Sequence, residues 1–256
     1  KDQKINNKNY QLIENEKDID KYLKEAEEYG EFAIDTETTS LDPHQANLVG
    51  ISLSTKLGSA CYIPLGHLSE KNLDEKSVIK KIKPILEDKS IKKIGQNIKF
   101  DYIVLYHRGI DMNSMEDTML MSYVLDAGKN RHNMDTLSQI HLEHKTTSYK
   151  DLVGSGKKQI NFKEVDLNLA KNYAAEDADV TFRLYKIFIK NLKSEKLVNI
   201  YEIFEKPLIK ILANMEINGI KVDSNFLKTL SKKFEIKIKN LEKEIFKISK
   251  KEFNIG

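Results

Sequence analysis

Several features are scarce in this 256-residue sequence, and each scarcity excludes a class of protein. It contains one cysteine, so an internal disulfide is excluded, and the apolar stretch around Cys61 favours a core thiol over a reactive one. No apolar run approaches the length that spans a bilayer, and the first residues lack the apolar core of a signal peptide. We therefore expect a cytoplasmic protein that does not engage a membrane.

Net charge is also low, at +3, and it is unevenly distributed. Residues 221–256 contain ten lysines and five acidic residues, which leaves residues 1–220 with a charge of −2. Such a balance is not typical of a protein that binds nucleic acid through lysine and arginine alone. If residues 1–220 bind phosphate groups, a source of positive charge other than lysine and arginine is needed there.

The spacing of apolar residues alternates between strand and helix patterns over the first 193 residues. It predicts strands at 9–15, 31–37, 47–55, 58–64 and 91–97, with the third and fourth paired as a hairpin around Gly58. It predicts helices at 16–30, 74–88 and 98–109, two short helices between 115 and 144, a loop at 145–165 and a long helix at about 166–193. This order indicates an α/β fold with a mixed sheet.

A break follows near residues 194–200, and the rest of the chain has a helical pattern. Residues 201–223 are predicted to form a helix that ends at Asn218-Gly219. Residues 224–253 form a second helix with a narrow, heptad-like apolar stripe, which calls for a partner helix. We predict one domain at 1–193, and a segment at 194–256 that opens a larger domain or packs on another surface.

The stretch FAIDTETTSLD, residues 32–42, ends a predicted strand on two acidic residues, Asp35 and Glu37. Because side chains alternate along a strand, the two carboxylates share a face. They repel each other unless a proton or a cation lies between them. On this pair alone, two solvated acids at a strand end are the favoured interpretation.

Two further acidic residues change that interpretation. Asp101 lies early in a helix that follows a strand, and Tyr173 and Asp177 lie four residues apart on one face of the long helix. Carboxylates without histidine or cysteine beside them suit hard cations such as Mg²⁺. Two such ions, roughly 4 Å apart, promote phosphodiester hydrolysis and would supply the missing positive charge.

Three blocks of the sequence resemble the exonuclease motifs of a known family. DTETTSLD (35–42), GQNIKFD (95–101) and YAAEDADVT (173–181) are similar to the three motifs of the 3′→5′ proofreading domain in bacterial family A DNA polymerases such as DNA polymerase I. These domains form the DEDDy branch of the ribonuclease-H-like exonucleases. The resemblance implies a ribonuclease-H-like mixed sheet flanked by helices at 1–193, and the start of a polymerase domain, leading into its thumb helices, at 194–256.

The resemblance also implies a role for each acidic residue. Asp35 would bridge two divalent ions, Mg²⁺ or Mn²⁺. Glu37 and Asp177 would complete the first metal site, and Asp101 would hold the second ion directly or through water. Tyr173 would orient the attacking water together with Glu37. The implied activity is removal of 3′-terminal nucleotides from single-stranded DNA, as the proofreading part of a polymerase.

Further positions match family residues near the DNA end. Leu41 would wedge beside the 3′-terminal base, and Tyr149 stands where the family usually has a phenylalanine that packs on that base. Gln96, Asn97 and Arg131 match positions near the strand end. The partners implied are single-stranded 3′ ends, primer–template DNA and the polymerase domain of the same longer chain, in a monomeric, nucleoid-associated protein.

Two other functions remain open from the residues alone. One is an exoribonuclease of the same superfamily, and the other is a non-catalytic module that binds DNA ends. Asp117 could be mistaken for a fifth metal ligand, but an aspartate that opens an apolar helix is more often an N-cap.

Overall fold

The computed structural model describes residues 5, 7–68 and 71–256. The chain forms two compact units, one that reaches to Ile217 and one that comprises Asn218–Gly256. No helix within the described ranges combines the length and the apolar character needed to cross a lipid bilayer. The predicted boundary at 193/194 separates two family regions and differs from the division between the compact units. It stays a prediction.

A mixed sheet organises the first unit. Among the described residues its strands are β1 (Tyr10–Leu12), β2 (Glu31–Thr38), β3 (Leu48–Lys56), β4 (Ser59–Pro64), β5 (Lys92–Gly95) and β6 (Met115–Asp117). Their order across the sheet is β1-β4-β3-β2-β5-β6. β2–β3 and β3–β4 are antiparallel, whereas β1–β4, β2–β5 and β5–β6 are parallel. The predicted mixed sheet and the hairpin around Gly58 are confirmed.

Helices cover the sheet and continue beyond it. In the first unit they are α1 (Glu16–Tyr29), α2 (Glu75–Glu87), α3 (Ile98–Tyr106), α4 (Thr118–Asp126), α5 (Met134–Leu142), α6 (Tyr149–Val153), α7 (Leu167–Ser194), α8 (Val198–Ile200) and α9 (Lys206–Asn218). The stretch predicted as a loop at 145–165 contains α6 and short 3₁₀ turns at 156–158 and 162–164. These elements are each too short to show a helical period in the sequence.

The two faces of the sheet pack against different helices. Phe32 and Ile34 belong to a core with α1, α2 and α3, whereas Ala33 belongs to a core with α4, α5 and α7. Because the alternation continues along β2, Asp35 and Glu37 point to the same face as Ala33, toward α7. Cys61 is buried in the first core, as predicted, and burial raises the pKa of its thiol.

Asp179 shows how an acidic residue on α7 is used for structure alone. Its side chain is fully buried and accepts hydrogen bonds from the Tyr10 hydroxyl at 2.9 Å and the Gly58 amide at 2.7 Å. It also pairs with Arg183 one helical turn later, at 3.1 Å. Asp179 therefore fixes the helix to β1 and to the β3–β4 turn, away from the face that carries Asp177.

The segment predicted as one helix at 201–223 is interrupted. Tyr201–Glu205 form a π-helical turn, and α9 ends at Asn218. The amide of Lys206 donates to the carbonyl of Tyr201, five residues earlier. Pro207 follows directly and has no N–H to donate, so one α-helical hydrogen bond is missing at this point.

The second unit consists mainly of α10 (Ser224–Ser249). Asp223 is its N-cap and accepts a hydrogen bond from the Phe226 amide at 2.9 Å. The predicted apolar stripe lies along this helix, and most of its side chains are exposed: Leu227, Phe234, Ile238, Leu241, Ile245 and Ile248.

Candidate active site

Three of the predicted acidic residues converge at the end of β2. One carboxylate oxygen from each of Asp35, Glu37 and Asp177 lies within 4.8 Å of the others. β2 supplies the first two side chains, and the face of α7 that packs against the sheet supplies the third. The donor set is purely oxygen, which matches the preference of Mg²⁺ and Mn²⁺. The residues present therefore fit a divalent metal site.

Asp101 lies close enough to this cluster for its charge to act on Glu37, but it is outside the 4.8 Å group and comes from the opposite face of the sheet. It lies in the first turn of α3, and its Oδ1 atom accepts hydrogen bonds from the Thr36 amide at 2.9 Å and the Thr36 hydroxyl at 2.6 Å. β5 pairs with β2 only as far as Ala33, so the Thr36 amide bonds to Asp101 instead of to a strand. Thr36, which points away from its acidic neighbours, thus fixes the fourth carboxylate beside them.

The electrostatics of the metal-free site are unfavourable at neutral pH. Burial raises the pKa of Asp35, Glu37, Asp101 and Asp177 well above the usual range, and mutual repulsion raises most of them further. The hydrogen bonds from Thr36 act in the opposite direction on the pKa of Asp101. Repulsion of this kind is relieved when a cation or protons enter the cluster.

Tyr173 completes the predicted set on α7. Asp177 lies one helical turn later, and burial together with the charges of Asp177, Glu37 and Asp35 raises the pKa of Tyr173. Its ring lies 6.1 Å from that of Tyr149 and 6.0 Å from that of Phe162. Tyr149 and Phe162 are parallel within 6°. The three rings form an aromatic wall next to the carboxylates.

A cleft of about 600 Å³ runs between this wall and the end of β2. Asp35, Glu37, Tyr149, Tyr173 and Asp177 all line it. Leu41 lines it too, with 95% of its side chain exposed at the rim. Among the described residues that line the cleft, Lys150 alone is basic. The walls thus supply little positive charge for a phosphate group.

Three predicted DNA-binding residues are absent from the cleft lining within the described part of the chain. The Gln96 amide is used inside the fold, donating to the His132 carbonyl at 2.8 Å and accepting from the Thr118 hydroxyl at 2.5 Å. Asn97 and Arg131 are exposed. Their roles at a DNA end stay predictions.

Sequence analysis missed residues that support the cleft. Glu176 accepts hydrogen bonds from the Thr147 amide at 2.8 Å and from His144 at 2.9 Å, so it holds the segment that leads to Tyr149. Asn161 donates to the Thr39 carbonyl at 2.9 Å and joins the opposite rims. Phe162 is the fully buried member of the aromatic wall and packs against the rings of Tyr149 and Tyr173. Asn161 and Phe162 lie outside the three blocks, and Glu176, although it lies inside the third, has no local pattern that indicates its contacts with Thr147 and His144.

Comparisons with known proteins agree with this geometry. A family model described as 3′–5′ exonuclease matches residues 10–193. DNA polymerase I of Rhizobium leguminosarum is 42% identical over 259 residues, which covers 93% of this chain and 25% of the relative. DNA polymerase I of Pseudomonas aeruginosa is 39% identical over 254 residues, covering 96% of this chain and 28% of the relative. The chain therefore spans about a quarter of the length of these curated relatives.

Solved structures share the fold. The polymerase domain of Pol1 from M. smegmatis, in complex with DNA primer-template and dNTP, superposes with a TM-score of 0.73 at 19% identity, covering 96% of this chain and 38% of that one. Brucella melitensis NrnC with bound Mg²⁺ superposes with a TM-score of 0.55 at 22% identity, covering 86% of this chain and 94% of NrnC. The predicted ribonuclease-H-like architecture is confirmed.

Proposed function

Because the chain belongs to the 3′–5′ exonuclease family, we propose that it removes 3′-terminal nucleotides from single-stranded DNA by metal-dependent phosphodiester hydrolysis. The products would be 5′-monophosphates. The observation that carries this proposal is the convergence of Asp35, Glu37 and Asp177 within 4.8 Å, with Asp101 fixed beside them by Thr36. The Mg²⁺ bound to NrnC, a protein of the same fold, supports a divalent metal at this site.

The acidic side chains would hold two divalent ions. Asp35 would bridge them, Glu37 and Asp177 would complete one site, and Asp101 would serve the other. When bound, the ions supply charge neutralisation at the phosphate and lower the pKa of the attacking water. The site then needs no basic side chain for these tasks, which fits a cleft with one lysine in its described lining.

Tyr173 and Glu37 would position the water. A tyrosine hydroxyl is protonated at neutral pH and has a proton to donate, and the raised pKa of Tyr173 keeps it protonated in more alkaline solution as well. Tyr173 and Asp177 both line the cleft, so the hydroxyl and the carboxylate face the same space. In this arrangement Tyr173 orients a reactant and does not act as the base.

The aromatic wall and Leu41 would receive the terminal nucleotides. Bases stack on aromatic side chains with little dependence on sequence, which suits an enzyme that removes any terminal base. Tyr149, which is 40% exposed and parallel to Phe162, presents a ring face for such stacking. Gln96, Asn97 and Arg131 would lie near the strand end.

The context we propose is proofreading within a longer DNA polymerase I. The curated relatives extend far beyond the matched region, and residues 194–256 would open the polymerase domain. Primer–template DNA and that polymerase domain would be the partners. In this proposal the protein acts as a monomer in the cytoplasm, associated with the nucleoid.

The proposed function is tested by digestion of a primer with a mismatched 3′ end. Purified protein should shorten the primer from its 3′ end in Mg²⁺ and should leave it intact in excess chelator. A single-stranded RNA of the same sequence is the matched substrate, and faster loss of the RNA would favour the exoribonuclease. Binding of the DNA without any cleavage, in either Mg²⁺ or Mn²⁺, would replace our proposal with a non-catalytic DNA-end-binding module.

Truncation of Tyr149 is expected to weaken substrate binding. Tyr149→Ala removes a stacking surface worth about 1–3 kcal/mol per base, so the KM for a short single-stranded DNA should rise about 5- to 150-fold. Tyr149→Phe keeps the ring and is the matched control, with a KM close to that of the unmodified chain. Steady-state kinetics at saturating Mg²⁺ measure both. Equal KM values for the two variants would show that the ring does not contact DNA.

A further inference from the structure

Tyr201 lies beyond the residues that match the exonuclease family, yet its side chain is fully buried in the core of the first unit. It is the first residue of the π-helical turn that precedes α9. π-helical turns are rare and are often found at functional sites. The turn places this tyrosine against β6, two strands away from β2.

Both hydrogen-bonding functions of the Tyr201 hydroxyl are used. It donates to the Glu116 carboxylate at 3.0 Å and accepts from the Asp117 amide at 2.9 Å. The second carboxylate oxygen of Glu116 pairs with Lys206 at 2.6 Å. A buried hydroxyl with two partners fixes their positions more tightly than an apolar contact does. The π-helical turn is thus bound directly to the end of β6.

Asp117 carries this connection to the helix that bears Asp101. Its carboxylate accepts hydrogen bonds from the Asn97 amide at 3.0 Å and the Ile98 amide at 3.1 Å, at the start of α3. It also accepts from the Met119 amide at 2.9 Å and so caps α4, as the sequence predicted. One buried carboxylate therefore fixes the first turns of two helices.

α3 depends on this external cap because its own N-cap residue does not provide one. Asn97 has a left-handed backbone conformation, with φ at 61°, and its side chain makes no capping hydrogen bond. Asn97 occupies the N-cap position, but the Asp117 carboxylate makes the capping hydrogen bonds. Asp101 follows one turn later, so its carboxylate position depends on where α3 begins.

We propose that Tyr201 is a positioning residue for the metal site, acting through Asp117 and the first turn of α3 on Asp101. The inference rests on the proposed function, since it assumes that Asp101 serves a divalent ion. The segment that follows the exonuclease family match, which ends at residue 193, would thus help to position a residue of the metal site. Loss of the hydroxyl would remove the hydrogen-bond partner of the Asp117 amide and of one carboxylate oxygen of Glu116, and it would loosen the start of α3.

Tyr201→Phe tests the proposal, with Tyr185→Phe as the matched control. Tyr185 is equally buried, but its hydroxyl bonds to Lys92, outside this chain of contacts. Mn²⁺ binding followed by electron paramagnetic resonance should show that Tyr201→Phe raises the half-saturating concentration of an ion about 10-fold, the lower end of the range for supporting residues in metal sites. Tyr185→Phe should bind Mn²⁺ like the unmodified chain. The KM for DNA at saturating metal should be unchanged in both.

Hydrogen exchange provides a second readout that does not depend on activity. In the metal-free protein the amides of Asn97 and Ile98 should exchange faster in Tyr201→Phe than in Tyr185→Phe. If Tyr201→Phe does not fold, Lys206→Met is the second variant, because it releases Glu116 without altering the buried ring. It should shift Mn²⁺ binding in the same direction by a smaller factor.

Unchanged Mn²⁺ titrations in a folded Tyr201→Phe or Lys206→Met variant would overturn the proposal, even if thermal stability fell. A merely structural tyrosine would produce that fall without a change in metal binding. Failure of the proposed function would look different: the unmodified chain would bind Mn²⁺ without cleaving DNA, and the comparison between variants would still be decisive.

Discussion

Asp35→Asn is expected to lower the rate of single-stranded DNA cleavage by about 10³-fold, equivalent to several kcal/mol of lost transition-state stabilisation. The substitution keeps the size and shape of the side chain but removes one charge from the oxygen cluster it shares with Glu37 and Asp177. In our proposal Asp35 bridges both ions, so the loss affects both. Single-turnover cleavage of a labelled oligonucleotide at saturating Mg²⁺ measures the effect.

The same variant should be more stable than the unmodified chain when metal is absent. Burial and the charge of Asp177 raise the pKa of Asp35, so its ionised form is unfavourable in the folded, metal-free protein. Removing that charge should therefore increase the free energy of unfolding at pH 8. Asp151→Asn, on the exposed part of α6, changes the net charge equally and should alter neither property. Full activity in Asp35→Asn would exclude the proposed metal site.

Removal of divalent metal is expected to make stability fall as the pH rises. The carboxyl groups of Asp35, Glu37, Asp101 and Asp177 have raised pKa values in the folded protein, whereas in the unfolded chain they ionise near pH 4. Above pH 4 the folded state therefore binds more protons than the unfolded state. The free energy of unfolding should decrease as the pH rises through the folded-state pKa values.

Mg²⁺ should reverse this dependence, because it binds the ionised carboxylates and displaces protons. At a concentration of 100 times its dissociation constant it should add about 2.7 kcal/mol at pH 8, and much less at pH 5. Urea denaturation at pH 5 and pH 8, with and without Mg²⁺, measures the pH dependence of stability and the stabilisation by Mg²⁺. Glu37→Gln is the control and should flatten the pH dependence. Stability that rises with pH in chelator would show that the carboxylates do not repel each other as described.

The positions of the acidic residues were largely predictable from local pattern. Strand alternation is strict, so Asp35 and Glu37 had to share a face, and the four-residue spacing of Tyr173 and Asp177 placed both on one side of a helix. Neither rule depends on distant contacts. That these two faces meet is a property of the packing of α7 on β2, which the resemblance to a family implied and which local pattern did not show.

The supporting contacts were not predictable because they join residues far apart in the sequence. Thr36 bonds to Asp101, 65 residues away, and a threonine between two acidic residues has no distinctive pattern. The left-handed conformation of Asn97 and its cap from Asp117, 20 residues later, follow from the short pairing of β5 with β6. The π-helical turn at Tyr201 likewise depends on a pocket that exists only in the folded core.

Asp101 is carried by α3 on one face of the sheet, and Asp177 is carried by α7 on the other. This arrangement has a consequence for synthesis on the ribosome. A nascent chain that has not yet released α7 lacks Tyr173 and Asp177, although β2 and α3 are already outside the exit tunnel. Under the proposed function, such a chain would lack one of the three residues of the oxygen cluster and should not cleave nucleic acid. Nuclease activity would then arise only after α7 packs on the sheet, when most of this region has been translated.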